Sequence, residues 1–173
     1  MKTGMGGHQS AAMGKDEWLT PPWILKQLGP FDLDPCSPIS RPWETAKQHH
    51  TVLDNGLSKQ WFGRVWCNPP YGAEAAKWLC RCAEHGNAIA LIFARTETAM
   101  FFNHVWGKAD GLLFIKGRLY FHHASGAVAK ANSGAPSVLV AYGIENAARL
   151  RCCGIAGAYV SMIEINNFSF INI

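Results

Sequence analysis

Arg64-Val65-Trp66-Cys67-Asn68-Pro69-Pro70-Tyr71-Gly72 is an apolar run that stops in a stiff turn. The run reads as a strand over Gly63 to Asn68. Ala76, Leu79 and Ala83, at helical spacing, predict a helix over Ala73 to His85 directly after it. Such a unit belongs to an α/β sheet, in which ligands bind beyond the carboxyl ends of the strands. Proline fixes φ and carries no N–H, so the turn holds aimed acceptors with no competing donor. The Asn68 amide oxygen, the Pro69 carbonyl and the Tyr71 ring together suit a flat molecule with an exocyclic amino group. A lone Asn-Pro pair is usually only a strand-ending turn. The full tetrapeptide, between a strand and a helix, is far more specific.

Toward the N-terminus, Thr20 suits an N-cap and Pro21 the first position of a helix that Gly29 stops. Phe31 to Asp34 reads as a short strand ended by Pro35. Cys36 to Gln60, rich in Pro, Ser, His and Asn, shows no period; connections of this length are often functional. Toward the C-terminus, Asn87 to Ala94 is apolar enough for a central strand covered on both faces. A helix is expected over Thr98 to Gly107 and a strand over Gly111 to Ile115. Arg118 to Phe121 and Ser137 to Tyr142 read as two further strands around a Gly/Ala/Ser loop at Ala124–Ala135. Nothing after Glu145 carries a readable motif. The expected fold is an α/β sandwich with a mostly parallel sheet and an antiparallel edge hairpin.

The 173 residues suit one domain, taken as 15–173 behind a flexible tail at 1–14. Apolar content of 49% against 16% charged describes a chain with a real core. The net charge of +4 permits a polyanionic partner without demanding one. Gly111–Ile144 holds Lys116, Arg118 and Lys130 and no acid; it reads either as a phosphate-facing surface or as a solvated loop. No apolar run is long enough to span a bilayer, and Met1–Gly14 lacks the apolar core of a secretory signal. The six cysteines show no framework spacing and are expected to be free thiols in a reducing cytoplasm. Cys80-Arg-Cys82 is too close for a zinc pair, and His122-His123 and Cys152-Cys153 are adjacent, so no metal is expected.

An adenine-type amine delocalises its lone pair into the ring and is a poor nucleophile. Acceptors aimed at its two hydrogens localise that pair and point it at an electrophile. Asn68 and Pro69 supply two such acceptors, and Tyr71 a stacking face. A second polar cluster, Asp32-Leu-Asp34-Pro-Cys-Ser-Pro38, follows the first strand. Asp32 and Asp34 are read as facing opposite sides, so only one should face the site. Trp66 is expected in the core, His49 and His50 on the surface or in a substrate loop. Arg95 and Arg118 would pair with acids or meet phosphates.

Asn68-Pro-Pro-Tyr71 resembles the catalytic motif of S-adenosylmethionine-dependent amino-methyltransferases. Asp16-Glu-Trp-Leu-Thr-Pro21, Phe31-Asp-Leu-Asp-Pro-Cys36, Asp54-Asn-Gly-Leu57 followed by Trp61, Arg95-Thr-Glu-Thr98, and Gly117-Arg118 with Phe121 narrow the match. In that order they resemble the phage and prophage Dam-type adenine-N6 DNA methyltransferases, over roughly residues 15–143. The resemblance implies a Rossmann-like methyltransferase fold and S-adenosylmethionine as cofactor. Asp34 and Pro35 would lie near the cofactor's methionine part, Thr20 and Pro21 near its amino-acid end, and Asp54 at its adenine. Asn68, Pro69, Pro70 and Tyr71 would form the catalytic turn, holding a flipped adenine for direct transfer. The partner would be DNA in the cytoplasm of a bacterial host, with neither membrane nor metal. Asp34-Pro-Cys-Ser-Pro38 stands where larger relatives carry a Gly-x-Gly loop. No separate target-recognition domain is expected, so inserts such as Cys36–Gln60 and Lys116–Ala135 would read DNA, and a homodimer is open. Two rivals remain: an amino-methyltransferase of RNA guanine or of a protein glutamine amide, and a catalytically inactive DNA-binding module.

Overall fold

The computed structural model describes residues 18–163. The expected tail at 1–14, together with Asp16 and Glu17, lies outside the described residues. In chain order the elements are α1 (Pro22–Leu28), β1 (Leu33–Asp34), β2 (Gln48–His49), β3 (Val65–Cys67), α2 (Ala75–His85), β4 (Ala88–Phe93), α3 (Ala99–His104), β5 (Gly111–Ile115), β6 (Ser137–Tyr142), α4 (Ile144–Cys152) and β7 (Gly157–Ser161). The strands form one sheet in the order β2-β1-β3-β4-β6-β5-β7. β2, β1, β3 and β4 run parallel. β6 is antiparallel to both β4 and β5, and β7 is antiparallel to β5. Five strands therefore point one way and two the other.

Strand alternation divides the core in two. Trp66, Ile89, Leu91, Leu113, Leu139 and Ala141 face α1 and α4, meeting Ile24, Leu28, Ala147 and Leu150. Val65, Cys67, Ala88, Ala90, Ile92, Val138 and Val140 face α2 and α3, meeting Leu79, Cys82 and Phe101. Each strand of the middle is buried on both faces, which is why β3, β4 and β6 read as unbroken apolar runs. Among the described residues no helix is long and apolar enough to cross a membrane.

Several expectations are corrected. Arg118–Phe121 is not a strand. Its burial does alternate, with Leu119 and Phe121 inside. Its backbone bonds, however, go singly from Ser133 to Leu119 and from Ala129 to Phe121 instead of forming a ladder, and the bridges of this segment lie at the next residue, His122. The antiparallel end of the sheet is therefore built from β6, β5 and β7, without 118–121, and β6 stands inside the sheet. The edge is β7, and with α4 it occupies the region where no motif was legible. Pro21, not Thr20, is the N-cap of α1, and Pro22 opens the helix. A residue before proline is pushed out of the helical region, and Pro21 has ψ 130°. Helix α3 is shorter than expected, ending at His104, and the Thr98 hydroxyl caps it by accepting from the Phe101 amide. The long connection Cys36–Gln60 contains β2.

Candidate active site

The sheet reverses its winding direction at β1. The chain leaves β1 for β2 on one side and returns past it to β3 on the other. Loops after β1 and β3 thus part at the carboxyl end, the usual place for a ligand crevice. A cavity of about 630 Å³ opens there, a volume typical of small-molecule sites. Thr20, Asp34, Pro35, Asn68, Pro69, Pro70 and Tyr71 all line it. Pro21 and Asp54 do not. Pro21 is buried at the N-terminal end of α1. The Asp54 carboxylate turns back on its own loop, accepting from the Thr51 amide at 2.8 Å and hydroxyl at 2.9 Å. Those bonds hold it below the usual carboxylate range.

Asn68 is the most informative side chain. Its Nδ2 donates to the Trp18 carbonyl at 3.3 Å. That bond orients the amide, because nitrogen, not oxygen, must face a carbonyl. The Oδ1 is then a buried acceptor with no partner. Such an orphan costs about 1–3 kcal/mol unless a ligand satisfies it. Behind it, β3 is buried to the last residue, and burial raises the Cys67 thiol so that it stays protonated. Tyr71 is held in place by aromatic neighbours. Phe93 stacks on one face, with centroids 4.3 Å apart and 4° between planes, and Phe121 meets the ring edge-on at 6.2 Å. One face of Tyr71 is therefore taken before any ligand binds.

Asp34 is 3% exposed. Its Oδ1 accepts from the Cys36 amide at 3.1 Å and its Oδ2 from the Thr45 hydroxyl. Burial outweighs these bonds and pushes the carboxyl up to about 6. Asp32 does not line the cavity; it bonds Lys47 and the Arg64 amide. Only one of the two aspartates faces the site, as expected, but not through alternation. Positions two apart share a face of a strand. They separate because Asp32 lies in the bend before β1 begins.

Trp66 is fully buried, as expected, and also forms part of the cavity wall. His49 is more enclosed than expected. Its Nε2 lies 3.3 Å from the amides of Thr45 and Ala46 and 3.2 Å from a Glu44 oxygen. Arg95 and Arg118 form no ion pair among the described residues. All six cysteines are free, with Cys36 Sγ 3.7 Å from Cys67 Sγ.

Three residues were not singled out from sequence. Thr45, inside an aperiodic segment, gave no signal. Trp18 and Gly56 stood within quoted motifs. Trp18 supplies the carbonyl on Asn68. Gly56 lets the loop after β2 press on the loop after β1: a Cβ there would sit 1.8 Å from the Pro35 carbonyl oxygen.

A family model described as DNA N-6-adenine-methyltransferase (Dam) matches residues 8–153. No curated protein matches the chain, and no solved structure does.

Proposed function

The chain belongs to the DNA N-6-adenine-methyltransferase (Dam) family, and from that premise we propose how its cavity works. The buried, unpartnered Asn68 Oδ1 carries the proposal. It asks for an N–H donor, and the N6 amine of adenine has two hydrogens to give. Asn68 Oδ1 accepts one and the Pro69 carbonyl the other, which localises the amine lone pair. Pro69 and Pro70 stiffen the turn so that both acceptors stay aimed. The base lies against the face of Tyr71 that Phe93 leaves uncovered. A paired adenine cannot reach this turn, so the base is flipped out of its duplex.

S-adenosylmethionine, when bound, supplies a methyl group on a positively charged sulfur. Thr20, Asp34 and Pro35 line the part of the cavity that suits it, and the Asp34 carboxylate matches its positive charge. Pro21, the buried N-cap of α1, fixes the backbone that follows Thr20. Asp54 acts from outside the lining, by bracing the loop whose Asn55, Gly56 and Leu57 form the wall. Bound there, the cofactor would give up its methyl group to the N6 lone pair that Asn68 Oδ1 and the Pro69 carbonyl hold in place, and would leave as the neutral thioether while solvent takes the proton that N6 sheds. No side chain is asked to act as nucleophile. The chain works as a single domain over 15–173.

The test is Asn68→Ala assayed with labelled cofactor and adenine-containing DNA. Methylation should fall by about 100-fold or more, the size expected for losing one aimed polar group. Cofactor affinity, read by calorimetry, should stay nearly unchanged. Near wild-type methylation by this variant would sink the mechanism.

A further inference from the structure

The loop between β5 and β6 has a position and a charge that the catalytic reading does not use. β5 runs parallel to β4, so this loop emerges at the same end of the sheet as the Asn68 turn. It is firmly seated. Leu19 and His122 exchange both backbone hydrogen bonds, at 2.8 and 3.0 Å. Trp43 meets the His122 ring edge-on at 5.1 Å, and Trp18 packs on His123 at 5.0 Å. Inward-facing Leu119, Phe121 and Ala129 complete the anchor. Outside this anchored spine, Lys116, Arg118 and Lys130 are all exposed. Among the described residues none of the three makes an ion pair or a side-chain hydrogen bond. The stretch Gly111–Ile144 contains no acid to neutralise them. Tyr120, next to Arg118, is half exposed.

Unpaired cations on an anchored loop, at the same end of the sheet as the cavity and packed through Phe121 on Tyr71, suit a phosphate backbone. We propose that Lys116–Ala135 grips the DNA backbone beside the flipped adenine, with Arg118 and Lys130 on phosphates and Tyr120 against a neighbouring base. This rests on the reading of the cavity as a DNA adenine site. The grip is also joined to the chemistry. The loop holds Leu19, its neighbour Trp18 holds the Asn68 amide, and Asn68 holds the amine. Seating of DNA on the loop thus bears on the Trp18–Leu19 segment that orients the catalytic amide.

The experiment measures binding of a fluorescent adenine-containing duplex across a salt series. It compares wild type, the double variant Arg118→Ala/Lys130→Ala, and Lys108→Ala, a cation at the opposite end of the sheet. The double variant should bind DNA at least about tenfold more weakly and flatten the salt dependence by about two phosphate contacts. Its cofactor affinity should match wild type, and Lys108→Ala should bind DNA normally. Unchanged DNA affinity and salt slope in the double variant would overturn the loop assignment alone. So would an equal loss in Lys108→Ala. A wild-type chain that neither binds nor methylates the duplex would overturn the underlying reading as well.

Discussion

Asn68 and Asp34 face one cavity in opposite electrical situations. Asn68 presents a neutral acceptor without a partner; Asp34 presents a carboxyl that burial drives up to about 6. The sign of the consequence is fixed by linkage. The folded chain holds the Asp34 proton more tightly than the unfolded chain, whose ordinary value is 3.8. Its contribution to stability is therefore present at low pH and is lost as pH rises from about 4 to about 6. A positively charged cofactor reverses the preference and favours the carboxylate. Cofactor affinity should fall roughly tenfold per pH unit below about 6, read by calorimetry. Asp34→Asn should bind more weakly and remove that slope. A His49→Gln control separates the neighbouring imidazole, whose value burial lowers. A wild-type slope that survives Asp34→Asn would show that another group titrates. At this scale the sequence was legible where side chains are concentrated in one turn, as at Asn68-Pro-Pro-Tyr71, all four of which line the cavity. It was silent at Thr45, whose hydroxyl meets Asp34 only because the aperiodic segment folds back on β1.

At the scale of elements, the long apolar strands were read nearly to their ends, because burial on both faces leaves one unbroken pattern. β5 and β6 begin and end where expected. Arg118–Phe121 misled because an anchored loop can alternate buried and exposed residues without a ladder partner; side chains record burial, not pairing. β2 escaped because two residues carry no period. Its neighbour, the loop Thr51–Leu57, makes its own test. Gly56 is buried against Pro35, and its carbonyl accepts from the Trp61 indole at 2.9 Å. Gly56→Ala must move one backbone away from the other, which opens the cavity wall between β1 and β2. Overpacking of this kind costs about 1–3 kcal/mol. Its thermal midpoint should drop, and its cofactor KM should rise more than its DNA KM. Equal shifts in both KM values would mean that the wall is not a cofactor surface.

Across the whole molecule, Arg64 connects parts of the chain that do not line the cavity. Its backbone amide donates to Asp32 ahead of β1. Its Nη1 donates to the carbonyls of Leu28 at 2.6 Å and Pro30 at 3.0 Å, at the end of α1. Its Nε donates to Asn146 Oδ1 in α4 at 2.6 Å, and its plane covers the Phe31 ring at 4.4 Å. Asn146 passes the connection on to Asn87 and to Tyr142 at the end of β6. Burial lowers Arg64 to about 10, so it remains charged at neutral pH. A planar fork makes three directed bonds and a stack at once; an ammonium is a point charge and cannot. Arg64→Lys therefore leaves acceptors in α1 and α4 without donors, at a cost on the order of 2 kcal/mol. For a chain of this size that corresponds to a thermal midpoint lower by roughly 4–8 °C. Because Arg64 lies at the start of β3 and Asn68 just beyond its end, the loss should appear in melting and not in kcat measured well below the transition. A variant that melts with wild type would mean that α1 and α4 are held by their apolar faces alone. One that melts normally but loses kcat would mean that Arg64 positions the Asn68 turn directly.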